Sequence, residues 1–231
     1  MASVACVIPA YDAARTLAAV IRGIRIALPH AITVVVNDGS RDDTLAAADR
    51  WADHAVHLPR NLGKGAALRA GFEAALAAGA TSILTIDADG QHDPACAPRL
   101  LAALGEADVV IGVRERRGSA MPVHRRVSNA VSAAAVSACM GLRLADSQSG
   151  YRALRADVLA RVAPVGDRYE YETDFLIQAA RQGLRIACVS VPTIYGAPSH
   201  FRVLRDAARV ARTICRQVPF AMLSAATASA K

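Results

Sequence analysis

The sequence predicts an α/β protein with a mostly parallel, doubly wound sheet flanked by helices. Three observations predict it. Short apolar runs alternate with helical patterns through the first half of the chain. Three of those runs end in acidic residues, where an open sheet binds its ligands. The 231 residues are 53% apolar, enough for one sizeable core.

The elements follow in order. A first strand is read at Ser3–Ile8 and ends in Pro9-Ala10-Tyr11-Asp12. A helix over Ala14–Ala27 leads to a second strand, Ile32–Asn37, which ends in Asn37-Asp38-Gly39-Ser40. Ser40 with Asp43 three residues on resembles a capping box, so the second helix is placed at Arg41–Ala52. Ala55–Leu58, Lys64–Ala78, Ser82–Ile86, Pro94–Leu104 and Val109–Gly112 continue the strand–helix rhythm. Arg114–Pro122 is the least regular stretch and is expected to be a mobile loop. Beyond it come an Ala/Ser-rich helix (about Arg125–Met140), a short strand near Ser149–Leu154 and a helix near Glu172–Gln182. An apolar strand at Arg185–Val191 and a helix from Phe201 to about Gln217 complete the reading.

Composition excludes several classes. Charged residues are 20% and apolar residues 53%, so wholesale disorder is ruled out. Aromatics are 4%, so the core is built from Ala, Val, Leu and Ile. Residues 1–113 hold 9 Lys and Arg against 12 Asp and Glu, a net of −3; residues 114–231 hold 18 against 8, a net of +10. That asymmetry, with no stacking array of aromatics in the basic half, argues against nucleic-acid binding. The five Cys are scattered, with no CxxC pair and no zinc spacing, and read as reduced, mostly buried thiols of a cytosolic protein. The run Val4–Pro9 has no basic flank, so no signal peptide is expected. No stretch reaches the ~20 apolar residues that a membrane span needs.

Asp87-Ala88-Asp89 is the sharpest chemical signal. Two carboxylates two residues apart, just past a buried strand, can share one face. Such hard oxygen ligands suit Mg²⁺ or Mn²⁺, and the cation would bridge a substrate diphosphate. The amide oxygen of Gln91 is a third candidate ligand. The bland alternative is a solvated turn with incidental acids. Asn61-Leu62-Gly63-Lys64-Gly65 is not a Walker loop, because Gly65 follows the lysine, and Leu68 breaks a GxGxxG fingerprint. It reads as a helix start whose Lys64 sits near the positive end, a place for a phosphate or a carboxylate. His92 is read as a cap of the next helix, with diphosphate contact as the alternative. Trp51 is read as packing at a helix end, and Gly150 as permitting a tight turn.

Together these stretches resemble family 2 glycosyltransferases of the GT-A, nucleotide-diphospho-sugar transferase fold. The matching residues are VIPAYD (7–12), VVVNDGSRDDT (34–44), NLGKGAALRAGF (61–72), DADGQHDP (87–94), DSQSGYRAL (146–154) and ETDF (172–175). In size and layout the chain is most similar to the polyprenyl-phosphate sugar synthases. The resemblance implies that Pro9, Tyr11 and Asp38 hold base and ribose. It implies that Asp87, Asp89 and Gln91 bind Mn²⁺ or Mg²⁺ with the donor diphosphate, near Lys64. Family members usually continue the first motif as Tyr-Asn-Glu, whereas Tyr11-Asp12-Ala13 stands here, so Asp12 replaces the Glu contact or the contact is absent. The expected division is a single GT-A domain over 1–200, with 1–113 as the nucleotide and metal half and 114–200 as the acceptor half. Residues 201–231 would form an Arg-rich amphipathic helix and tail.

The implied reaction is inverting transfer of a hexose from a nucleotide-sugar donor, of GDP-mannose or UDP-glucose type, to a polyprenyl or dolichyl monophosphate. The basic half supplies the acceptor site in this reading. Arg114, Arg125 and Arg126, with Ser128, would orient the acceptor phosphate, while His200 and Arg202 close over the donor. Asp89, Arg114, Arg126 and Arg202 are then the expected catalytic residues. Arg202, Arg205, Arg209, Arg212 and Arg216 recur at steps of three and four and mark one helical face. That face suits an anionic membrane surface, or equally solvent. The protein is expected in the cytoplasm, peripheral to the inner membrane face, with a membrane-protein partner as a further expectation.

The main rival keeps the fold and glycosylates a hydroxyl, with Asp174 as general base and Asp146 as a second candidate, for which a structural helix-end role is the equal alternative. Nucleotidyl transfer on a related sheet would need a Gly-rich basic loop after the first strand, where Ala10-Tyr11-Asp12-Ala13-Ala14 stands. A non-catalytic binding module would have lost the metal-site acids, which are present.

Overall fold

The computed structural model describes residues 3–114, 149–168 and 170–192, with Ser137, Ile194 and Arg212. The apolar runs of the first half pair in parallel. β1 (Val4–Ala10) lies between β2 (Ile32–Asn37) and β4 (Ser82–Thr85), and β3 (His54–His57) flanks β2. β5 (Val109–Arg114), β6 (Arg152–Arg155) and β7 (Ile186–Val191) extend the sheet to the order β3-β2-β1-β4-β6-β5-β7. β6 runs antiparallel to both β4 and β5, whereas β7 is parallel to β5.

The helices are α1 (Ala14–Ala27), α2 (Thr44–Trp51), α3 (Lys64–Ala77), α4 (Ala97–Ala103), α5 (Val158–Arg161) and α6 (Glu170–Arg181). They cover both sheet faces. On β1, Ala5 and Val7 join the core layer of α3 and α6, while Cys6 and Ile8 join that of α1 and α4. Burial on both faces is why β1 and the Val34–Val36 stretch of β2 read as continuous apolar runs. α1 buries Leu17, Val20, Ile21 and Ile24, one stripe at helical spacing. Each fully buried branched side chain of this kind contributes about 2 kcal/mol. Trp51 closes α2 with Arg22 and Arg50 guanidinium groups 5.8 and 5.3 Å from its ring.

The second helix departs from the sequence reading. It begins at Thr44, and Ser40 does not cap it. The Ser40 hydroxyl instead accepts from the Asp12 backbone N–H at 3.0 Å, and Asp42 accepts from Thr44 N at 3.0 Å. His92 is not a cap either. Asp93 does that work, accepting from Ala95 N at 2.9 Å at the head of a 3-10 turn over Pro94–Cys96. α5, a single turn, had no sequence signal.

Thr33 and Asp53 tie β2 to the start of β3. Asp53 Oδ2 accepts from Thr33 N at 2.8 Å and from the Thr33 hydroxyl at 2.6 Å, and Oδ1 accepts from Arg25 at 2.9 Å. Burial alone would raise the Asp53 carboxyl, but Thr33 and Arg25 hold it below the usual carboxylate range. A depressed folded pKa gives stability above the unfolded pKa that is lost as pH falls through the folded one. Thr33→Val is therefore expected to cost about 1–2 kcal/mol at pH 7. In urea titrations the cost should shrink on acidification; a deficit of constant size down to pH 2 would contradict this role for Asp53.

Candidate active site

The carboxyl ends of β1, β2 and β4 share one rim, because Ala10 faces Asn37 and Val7 faces Thr85 in the parallel registers. The loops beyond them carry the acids. Pro9 lies within β1, and Tyr11 just past it is half-buried. Asp12 adopts φ +47°, a left-handed conformation that Asp tolerates better than most residues. Its Oδ1 accepts from Arg41 N at 2.8 Å, which joins the β1 and β2 loops.

Asp38 is only 3% exposed. Its two oxygens accept from Leu62 N at 2.7 Å and Gly63 N at 2.9 Å, so it anchors the loop that starts α3. Burial pushes its carboxyl up, against those two N–H groups and the nearby Arg168. Gly63 has φ +107°, and a side chain there would also collide with the Asp167 carbonyl and the Arg168 side chain. Arg168 reaches the same loop through Asn61 Oδ1 at 3.3 Å.

Lys64 opens α3. Its Nζ lies 2.7 Å from Asp87 Oδ1 and 3.1 Å from Glu172 Oε1. The helix-start lysine thus meets two carboxylates of its own chain. Behind Glu172 lies Arg152, also buried. Its Nη1 donates to Glu172 O at 3.0 Å, Nε donates to Ser149 O at 2.8 Å, and Nη2 is 3.9 Å from Glu172 Oε1. Two cations and two anions are gathered where an unpaired charge would be costly. Gly150 completes the wall. Its φ is not left-handed, so the expected tight turn is not its reason. A Cβ there would fall on the Asp87 carboxylate and 2.6 Å from Lys64 Nζ. Thr85 donates to Gly150 O at 2.8 Å and fixes that backbone against β4.

Asp89 Oδ1 accepts from Gln91 N at 3.0 Å around Gly90, which has φ +74°. This turn puts Asp87, Asp89 and Gln91 in one loop. Thr16 donates to Ala88 O at 2.6 Å, and Ile194 N donates to Gln91 O at 3.0 Å, so the chain after β7 returns to this loop. Among the described residues no group of three His, Cys, Asp or Glu is placed to hold a metal ion. Two carboxylates and one amide oxygen remain. They fit a cation of the Mg²⁺ or Mn²⁺ type, which takes one or two protein carboxylates and completes its shell with water and substrate phosphate. His92 is buried with its ring 5.2 Å from that of Tyr151, below the same loop.

Asp174 is 1% exposed on α6. Its Oδ2 accepts from Val165 N at 2.7 Å and Gln178 Nε2 at 3.0 Å, which holds the 163–165 segment. It is Glu172, one turn edge away, that joins the Lys64 cluster. Sequence reasoning gave Glu172 and Arg152 no role. The available signals were an Arg among Tyr151, Ala153 and Leu154, and a Glu on an otherwise apolar helix face. Arg114 ends β5, and its side chain lies outside the described residues. Arg125, Arg126, Ser128, Asp146, His200 and Arg202 lie outside them too, as do residues 115–122 of the expected loop and the C-terminal Arg stripe apart from Arg212.

A doubly wound sheet with an acidic crevice at its strand ends is the frame of the GT-A glycosyltransferases. The fold matches glucosyl-3-phosphoglycerate synthase from Mycobacterium tuberculosis, solved with Mn²⁺, uridine diphosphate and glucosyl-3-phosphoglycerate. That likeness has a TM-score of 0.76 at 21% identity and covers 94% of this chain and 81% of that one. The family model for glycosyl transferase family 2 matches residues 5–162, and the chain belongs to that family. It is 35% identical over 201 residues to the undecaprenyl-phosphate mannosyltransferase of Micrococcus luteus, covering 82% of each chain. It is 32% identical over 202 residues to the polyprenol monophosphomannose synthase of Mycolicibacterium smegmatis, covering 82% of this chain and 76% of that one.

Proposed function

We propose that this glycosyltransferase moves a hexose, with inversion, from a nucleotide-diphosphate sugar to a polyprenyl monophosphate. The observation that carries the reading is the match over most of its length to two relatives whose names specify mannose and a polyprenyl phosphate. The rim geometry supports it. A divalent ion, Mn²⁺ or Mg²⁺, taken by Asp89 and Gln91 with Asp87, would neutralise the donor diphosphate and stabilise the departing nucleoside diphosphate. Lys64 holds a fixed ammonium at the same rim. Tyr11, Pro9, Asp12 and the Asp38-anchored loop form the adjoining wall for base and ribose.

An acceptor phosphate oxygen is already ionised near neutral pH, so the attack needs no strong general base. The oxygen bonds to the anomeric carbon as the bond to the diphosphate breaks. Catalysis then rests on positioning and charge stabilisation. Burial of Asp174 and its engagement by Val165 and Gln178 favour this over the hydroxyl reading, in which Asp174 would need to meet the acceptor. Arg114, Arg125, Arg126 and Ser128 are assigned to the acceptor phosphate, and Arg202 to the donor, on the sequence alone. A lipid acceptor would bring the protein to a membrane surface. No described helix is long and apolar enough to cross one.

The test is a paired acceptor assay with a short polyprenyl monophosphate and the matching polyprenol. Transfer to the phosphate alone is expected. Comparable transfer to the alcohol would overturn the reading and return Asp174 to the role of base.

A further inference from the structure

Lys64 bridges Asp87 of the β4 loop and Glu172 of α6, at 2.7 and 3.1 Å. Glu172 is 4% exposed, and Arg152 backs it through both its carboxylate and its backbone oxygen. Gly150 closes the space over Asp87 and Nζ. We propose that Glu172 is a positioning residue that acts through Lys64: it sets the charge presented at Asp87, and so sets how strongly the rim takes a divalent cation and a nucleoside diphosphate. This rests on the reading that Asp87, Asp89 and Gln91 take the cation with the donor.

Asp87, Glu172, Lys64 and Arg152 sum to zero charge. A cation arriving at Asp87 competes with the Lys64 ammonium already there. Glu172 lets it do so, because Nζ has a second carboxylate 3.1 Å away and can yield Asp87 without being left as a bare buried charge. The yielded ammonium stays at the rim, where the diphosphate brings its own negative charge. Removing the Glu172 charge leaves these four groups at +1 and takes away one of the two carboxylates beside Nζ among the described residues. Removing the Lys64 charge leaves the cluster at −1 and ends the competition at Asp87. The two changes therefore act on cation affinity with opposite signs. A cluster that merely held the fold together would give the same sign for both.

The experiment uses the full chain, with folding of every variant checked by circular dichroism and thermal melting. Free Mn²⁺ is followed by electron paramagnetic resonance, without nucleotide and with UDP or GDP. Glu172→Gln is expected to weaken Mn²⁺ binding about fivefold or more, and Lys64→Met to tighten it by a similar factor. The double variant is expected to return close to wild type, and Glu172→Asp, which keeps the charge, to stay near it. Calorimetry is expected to show Lys64→Met binding UDP and GDP about tenfold more weakly in Mn²⁺. Weaker Mn²⁺ binding by Lys64→Met, or no change in it, overturns the proposal, even if Glu172→Gln fails to fold. Wild-type protein that takes up no Mn²⁺ with or without nucleotide overturns the metal reading itself, and this proposal with it.

Discussion

Gly150→Ala is expected to fold and to lose transfer by about 10²-fold. The new Cβ would stand 2.5 Å from Asp87 Oδ1 and 2.6 Å from Lys64 Nζ, far inside van der Waals contact. Both neighbours are the tips of side chains, so the backbone need not break. The Thr85–Gly150 hydrogen bond and the β4–β6 pairing can remain, and a melting temperature only a few degrees lower is expected. What moves is the carboxylate and the ammonium, by about 1 Å or more. A misplacement of that size at a reacting centre costs about 10²-fold. Steady-state transfer and a thermal melt on the same preparation check both halves. Activity within a few-fold of wild type would show that Asp87 and Lys64 need not sit where they do.

Asp89→Asn is expected to have an effect at least as large, about 10²-fold or more in kcat. The substitution is chosen because asparagine keeps a carbonyl oxygen at the Oδ1 position. That oxygen can still accept from Gln91 N and hold the turn at Gly90. The lost property is the charge that would meet a divalent ion. The variant should keep its melting temperature, lose transfer, and recover little with excess Mn²⁺. Full activity would remove Asp89 from the metal site, and a large loss of stability would mean that the turn itself depends on the charge.

Much of this architecture was legible because local signals agreed with long-range packing. α1 and β2 fall at the residues that the apolar pattern marks, a stripe at helical spacing and a short run centred on Val34–Val36. The acidic rim was legible because parallel strands put their carboxyl ends on one side. Elsewhere distant residues decide. Ser40 looked like a cap, but its hydroxyl is taken by the Asp12 N–H of the loop after β1. Gly150 looked like a turn, but it is needed for space beside Asp87. Lys64 could be assigned to a phosphate or a carboxylate. Its partners Asp87 and Glu172 meet only after β6 inserts antiparallel between β4 and β5, which no local pattern announces. The buried Glu172 and Arg152 stand in the matched stretches ETDF and DSQSGYRAL but had no role assigned, because Glu172 meets Lys64 and Arg152 meets Glu172 only across distant parts of the chain.

The most direct test of the central claim is transfer from a panel of radiolabelled nucleotide sugars to short polyprenyl monophosphates, with Mn²⁺, Mg²⁺ or EDTA. The account predicts a label that becomes organic-extractable with at least one donor, requires the lipid phosphate, and disappears with EDTA. Donors that are only hydrolysed, or a label found only on hydroxyl acceptors, would contradict it.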